Sequence, residues 1–423
     1  MFIKKTLSLF IIFSIFTSFP VFGREGRQSY QISDLVNLAL QRSELLIASD
    51  KAVESARWLK GQAKAWQNPS VSLGAGYKSN SGKNGAAYDI GLSQPFYFPG
   101  KQQLAGDIAG VQEKIAGLGR DETRLFIRYN VIKLAYQYVV ASELAKHLEE
   151  RVRRYNAIQI YLSSRPFPSP RKRMEKHIIE MKLPLLKKEL AEIRSGKDIA
   201  WARLNLFLNL PSPIAIDPPW FDKGIPLKLE DVVSSVEKNN IDLKRQTLIL
   251  ERTEAESKLA KKFIFPDFSL SFLFSEERVS KDVERFIGGG LTFNIPLWNT
   301  NKGNVKSLEA GVSAEKAKLE YAKREAMQFL LSSFIEYENA RQNLERLPLP
   351  SIREVHRRVV DADESFNNGL IDLITYNEVE SQAYETHLAL FGAQYDYVVK
   401  YTALCILQGS EEFAFVFPKN SKE

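Results

Sequence analysis

Residues 32 to 73 slide onto residues 229 to 270 without a gap, and this internal repeat restricts what the chain can fold into more than any other feature. Asp34 falls on Asp231, Glu54 on Glu251, Ala63 and Lys64 on Ala260 and Lys261, Trp66 on Phe263, Pro69 on Pro266, and Ser72 and Leu73 on Ser269 and Leu270. A coiled coil alone would not reproduce the proline and the strand behind it. Each half therefore reads helix, strand, strand, long helix, turn, helix. The division is 24–210 for the first repeat, 211–228 for a linker, 229–409 for the second repeat and 410–423 for a C-terminal tail.

The strands follow from alternation. Val71, Leu73, Ala75 and Tyr77 alternate with serines and glycines, as do Tyr88, Ile90 and Leu92 with Asp89, Gly91 and Ser93. In the second half Phe268, Leu270, Phe272 and Phe274 form one apolar set, and Ile287, Gly289, Leu291, Phe293 and Ile295 the other. Each run approaches the roughly 9–11 residues with which a tilted strand crosses a bilayer. Phe96, Tyr97, Phe98 and Trp298 gather at one end, where an interfacial girdle would sit. A pair of hairpins covering a soluble core would alternate in the same way. Against that alternative stand the helices attached to the hairpins.

Residues 101 to 162 carry a heptad-like stripe that includes Ile115, Leu125, Ile132 and Val139, and a continuous helix there would be about 90 Å long. A matching span from Val305 to Asn367 is interrupted at Pro348 and Pro350. In the returning helix Val379, Ala383, Thr386, Leu390, Ala393 and Tyr397 have coiled-coil spacing. Helices of this length do not belong to a compact single-core domain.

The chain begins with Lys4 and Lys5, an apolar stretch from Leu7 to Phe22 and Gly23, the layout of a signal peptide over residues 1–23. Its formal net charge of +7 over 423 residues is modest and gives no reason to expect nucleic acid as a partner. Cys405, the single cysteine, excludes an intrachain disulfide, and no cysteine follows the signal peptide to carry a lipid. Four strands are too few to close a transmembrane barrel, which takes at least about 8, so an exported chain of this kind has to oligomerise. Two copies would give a barrel filled by its own side chains, and three one with a lumen, which suits the small inward set of Ser, Gly, Thr and Asn.

Three phrases carry a resemblance: Gly91-Leu-Ser-Gln-Pro-Phe-Tyr-Phe-Pro-Gly-Lys101, Ile295-Pro-Leu-Trp-Asn-Thr-Asn-Lys-Gly-Asn304, and Asn368-Gly-Leu-Ile-Asp-Leu373. Together with the repeat they resemble the TolC-like outer-membrane efflux proteins over nearly the whole chain after the signal peptide. Their Pro-Gly-Lys and Asn-x-x-Gly variants resemble the heavy-metal cation efflux, CzcC-like, branch. The resemblance implies a mainly α fold with a small β part, in which long coiled-coil hairpins form a periplasmic tunnel of twelve helices. Three chains would contribute four strands each to a 12-stranded barrel in the outer membrane. Such a homotrimer would dock end-on to a periplasmic adaptor and a proton-driven resistance-nodulation-division pump. Energy would come from the pump, leaving the chain a non-enzyme without cofactors. A duct for drugs or a secreted polypeptide has the same architecture, and a periplasmic coiled-coil scaffold or adhesin is the rival from another class.

Ser169 and Glu175 are spaced as Asp372 and Glu378 are, each pair at the start of a returning helix. Acidic residues just above such tips ring the lumen and help gate it in the family, which makes Asp372, Glu378 and Glu175 the candidates here. A solvent-facing glutamate in the first turns of a helix, favoured by the macrodipole, is an equal reading of Glu378. The first tip, with Arg165, Arg171, Lys172 and Arg173 around three prolines, is stiff and basic where the family has a glycine turn; the second keeps Gly369. Either tip could dock an adaptor, and the basic run also reads as a solvated charge run on a rigid turn. The four histidines His147, His177, His356 and His387 are isolated, no metal ligand set is expected, and Met174 and Met181 read as core filling on one helix face.

Overall fold

The computed structural model describes residues 29–80, 83–164, 169–279, 282–348 and 350–410. The signal peptide, Arg165 and the tail from 411 onward lie outside the described residues. The strand β1 (Ser29–Tyr30) leads into helices α1 (Ile32–Arg42) and α2 (Glu44–Ala63), then β2 (Ser70–Asn80), β3 (Lys83–Phe96), α3 (Lys101–Ser163) and α4 (Pro170–Leu208). After β4 (Ala215–Ile216) come α5 (Leu229–Asn239), α6 (Ile241–Lys262), β5 (Phe268–Val279), β6 (Asp282–Phe293), α7 (Lys302–Arg346), α8 (Pro350–Asn367) and α9 (Leu373–Leu407).

Where the sequence suggests one helix before each strand pair, there are two. Ser43 breaks the first and caps α2 by accepting from Leu46 N at 3.2 Å. Asn240, onto which Ser43 falls in the sequence register, caps α6 through Leu243 N at 3.0 Å. The 63-residue α3 realises the expected long helix. On the other side the break at Pro348 separates α7 from α8.

The linker is a strap across the bundle. Parallel pairing joins β4 to β1. Gln394 of α9 holds Phe221 at both ends, accepting from its N–H at 3.0 Å and donating to its carbonyl at 2.7 Å. Tyr397 accepts from Ile225 N, Tyr337 of α7 donates to the Ile225 carbonyl, and Tyr136 of α3 donates to the Pro219 carbonyl. These tyrosines are fully buried in the largest core, where α1, α3, α4, α5, α7 and α9 meet. Gln394→Leu strands two backbone groups at once and is expected to destabilise the bundle by about 1–3 kcal/mol, measurable as a lower thermal midpoint of the helical signal.

The four long strands form one antiparallel sheet in the order β2-β3-β5-β6, so the hairpins sit side by side and β2 and β6 are edges. The register puts Leu73, Ile90, Phe274 and Ile287 in one row and Val71, Leu92, Phe272 and Gly289 in the next, which gathers the four apolar sets on one face. That face is open, with Leu73 77% and Ile287 68% exposed. No helix among the described residues is long and apolar enough to cross a membrane.

Candidate functional site

At the base of the sheet the chain turns into the long helices through left-handed residues, Gly100 at φ 87° before α3 and Asn301 at φ 59° before α7. Lys101, 4% exposed, fastens this junction across the two hairpins. Its Nζ donates to the Phe265 carbonyl and to Asp267 Oδ1, both at 2.9 Å, and the same carboxylate accepts from Phe98 N at 2.7 Å. The four aromatics expected to form a girdle lie here. Phe98 stacks on Phe265 at 4.5 Å and Phe96 on Phe268 at 5.3 Å, while Tyr97 is exposed and Trp298 is 94% exposed.

At the far end of the helices the second tip closes as a Schellman turn. Gly369, at φ 72°, donates to the Phe366 carbonyl and Leu370 N to the Ser365 carbonyl. Asp372 then caps α9, accepting from Thr375 N at 2.8 Å, and receives Arg171 of the first hairpin at 3.0 Å. The cap hydrogen bond to Thr375, with Arg171 beside it, holds the Asp372 carboxyl below its ordinary value. Ser169 is the N-cap residue of α4, in the position Asp372 occupies for α9.

The matching spacing of Glu175 and Glu378 does not give matching environments. Glu175 is only 4% exposed and is paired with Lys172 at 2.7 Å and Arg171 at 3.4 Å, so its carboxylate turns into the hairpin. Glu378 is exposed and accepts from Gln382 at 3.2 Å. Lys172 and Arg171 are thereby committed to the tip's own carboxylates, and Arg173 is exposed on the same turn.

Above the tip lies a buried polar cluster that the sequence pattern conceals. Glu380 of α9 is fully buried between two arginines of α3, with Arg154 Nε at 2.7 Å and Arg151 Nε at 3.4 Å. Tyr376 donates to Asp363 of α8 at 2.6 Å and lies 3.2 Å from Glu380. Arg151 reaches Ser381 at 2.9 Å, as does Lys182 of α4 at 3.2 Å. All four tip helices thus converge on one set of charges. Burial and the nearby Arg151 lower the pKa of Lys182.

Two histidines isolated in sequence meet a few turns further up. The His147 ring stacks on His387 at 4.3 Å and on Tyr384 at 5.9 Å. His387 Nδ1 lies 2.8 Å from the Ala383 carbonyl, a contact that places the proton on Nδ1. Burial, then His387 and the two arginines, hold the pKa of His147 down to about 3, so the ring is neutral at pH 7. Among the described residues no group of three or more His, Cys, Asp or Glu could hold a metal ion. Met174 and Met181 do share a face of α4, but they are 62% and 66% exposed and fill no core within the chain.

A family model described as outer membrane efflux protein matches residues 35–165 and 232–410, one stretch in each half. Among solved structures, CusC, whose conformational changes accompany folding and transmembrane channel formation, is 13% identical over 92% of this chain and 96% of its own, with a TM-score of 0.72. The open state of the outer membrane channel MtrE of Neisseria gonorrhoeae is 16% identical over 90% of this chain and 89% of its own, at 0.73. A membrane protein from Pseudomonas aeruginosa is 14% identical over 90% of each chain, also at 0.73. At these identities the likeness is one of fold. No curated protein matches significantly.

Proposed function

The chain belongs to the outer membrane efflux protein family, and we propose that three copies close their sheets into one twelve-stranded barrel over a twelve-helix periplasmic tunnel. The observation that carries this reading is the open sheet. Among the described residues the outer edges of β2 and β6 have no partner strand, one face is apolar from the base of the sheet up to the row of Ala75 and Tyr88, where Glu276 and Arg285 join it, and lipid tolerates neither an unpaired edge nor an isolated four-stranded sheet. Pairing β6 of one copy with β2 of the next removes every edge. The two runs of helix, strands and helices then act as copies of one unit, which gives the tunnel its near-sixfold wall.

The helices support the same closure. Within the chain α4 packs on α3, α3 on α9 and α9 on α7, which leaves α4 and α7 on opposite flanks. On the open side of α4, Met174, Ile178, Met181 and Leu185 follow one another at spacings of four, three and four, and Ile199 and Leu206 lie fourteen and then seven residues further on. Tyr321 and Ile335, both 60% exposed, lie fourteen residues apart on α7. A head-to-tail contact between these flanks buries both and closes a ring.

In this assembly the subunit carries substrate outward from a resistance-nodulation-division pump and its periplasmic adaptor, which docks at the tips around Gly369 and Arg171 to Arg173. Metal cations are the substrate class that the Pro-Gly-Lys and Asn-x-x-Gly phrases support. Glu378, with Asp372 at the rim, is the gate residue of this reading, because three copies bring three exposed carboxylates to the narrow end. The test is native size analysis of the outer-membrane fraction followed by planar-bilayer conductance. A conducting trimer is expected; a soluble periplasmic monomer would leave the scaffold reading in its place. In the same recordings Glu378→Gln is expected to lower cation over anion permeability roughly two- to five-fold, the effect of about 0.5–1 kcal/mol of lost attraction, while Glu378→Asp keeps it.

A further inference from the structure

A cavity of about 720 Å³ opens between α3, α5, α6 and α7, at the level where α5 turns into α6. Its floor is apolar and only half-buried, made by Leu118 of α3, Leu243 and Leu248 of α6, and Leu319 and Met327 of α7. Its rim is basic, with Lys114, Lys238, Lys244 and Lys323 against the carboxylate of Glu237. Lys323 pairs with Glu320 at 2.8 Å, and Lys114 reaches Glu251 at 4.0 Å. Lys238 and Lys244 have no carboxylate partner among the described residues. An apolar trough under lysines that nothing neutralises suits a segment that is both apolar and acidic.

The chain itself supplies one. α9 ends in a left-handed turn at Gly409, φ 59°, where Gly409 N donates to the Ile406 carbonyl and Ser410 N to the Cys405 carbonyl. This exit is set against the same junction of α5 and α6. Asn240 Nδ2 donates to the Leu407 carbonyl at 3.0 Å, and a Cβ on Gly409 would collide with the Asn239 carbonyl oxygen. Asn239 directly follows Lys238 of the rim. The residues after Ser410 are Glu411, Glu412 and Phe413-Ala-Phe-Val-Phe417, two carboxylates ahead of an unbroken apolar run. Extended, Glu411 to Phe417 reaches about 23 Å, whereas the α6 wall from Leu243 to Leu248 rises about 8 Å. The run is long enough to cover the floor.

We propose that residues 411–417 lie in this groove as an internal strap, with Glu411 and Glu412 at Lys238 and Lys244 and the phenylalanines on the leucine floor. Phe413, Phe415 and Phe417 alternate with Ala414 and Val416, so an extended chain presents all three rings to one side. The strap covers apolar surface that the helices leave open to water, and it ties the end of α9 to α6 and α7. Groove and segment belong to one chain, so the strap forms whether or not copies assemble.

The experiment is the maleimide labelling rate of Thr247→Cys, an exposed groove position, in the full chain with and without Phe413→Ser, Phe415→Ser and Phe417→Ser together. The wild-type segment is expected to slow labelling about five-fold or more relative to the triple variant. Cys405, 5% exposed, stays unlabelled in both and reports that the core is intact. Equally fast labelling means an open groove, and equally slow labelling means another occupant, such as a second copy of the chain; either result overturns the strap. Where the triple variant exposes Cys405, or a variant fails to fold, carbodiimide cross-linking of the wild-type chain decides. A zero-length bond from Lys244 to Glu411 or Glu412 is expected, and its absence overturns the strap. A link to Lys238 alone counts as absence, since that lysine sits at the chain's exit. Conductance reads the duct separately, so either can fail without the other.

Discussion

Glu380→Leu is expected to destabilise the tip half of the helical bundle by about 3–5 kcal/mol, the usual cost of stranding a buried charge. The variant leaves Arg151, 3% exposed, facing an apolar side chain, and leaves Arg154 only Asp363 at 3.8 Å. Neither guanidinium can shed its proton to escape, so the desolvation cost is met in full. Arg151 keeps its hydrogen bond to Ser381 and its place against the Tyr155 and Tyr384 rings at 5.8 and 5.4 Å, which moderates the loss without removing it. Chemical denaturation followed by circular dichroism measures the change. Hydrogen exchange places it: amides of residues 373–384 should exchange faster, while those around Tyr397 should not. The double variant Arg151→Met with Glu380→Leu removes both charges and is expected to recover at least half of the loss. A single Glu380→Leu within about 1 kcal/mol of the wild type would show that the cluster does not hold α3 to α9.

That cluster also shows where the sequence could be read and where it could not. The strand faces were legible because alternation is a short-range signal, and every apolar residue assigned to β2, β3 and β5 appears on one face in the observed register. The stripe on α9 was legible in kind and displaced in part. Ala383, Leu390, Ala393 and Tyr397 are buried as expected, but Val379 and Thr386 are only half-buried, and the inward positions beside them belong to Glu380 and His387. With Gln394 these polar residues recur every seventh position along the seam. A search for apolar periodicity steps over them to the nearest apolar neighbour, because their partners lie far away in the chain. Arg151 and Arg154 are more than two hundred residues from Glu380, and Phe221 is 173 from Gln394. Lys101 and Asp267, 166 residues apart, escape for the same reason. At the tips, spacing located Glu175 and Glu378 correctly along their helices but could not say which side each faces, since Arg171 and Lys172 draw one of them inward.

Met181→Asp combined with Leu185→Asp is expected to convert the proposed trimer into monomers while leaving the fold of each chain intact. Both side chains are about two-thirds exposed in the single chain, at 66% and 64%, so the substitutions remove no core contact there. They stand one turn apart on the open side of α4, in the seam that the proposed ring presses against α7 of the next copy. Burying the two new carboxylates would cost several kcal/mol at each interface, and a cyclic trimer contains that interface three times. The inward seam of α4, with Ile179, Leu183, Leu186 and Leu190 on α3 and α9, is untouched. Size analysis in detergent together with circular dichroism reads both halves of the expectation. Monomers with wild-type helicity place the subunit interface on this face of α4. A stable trimer carrying both aspartates would mean that α4 faces solvent in the assembly and that the ring closes through a different flank.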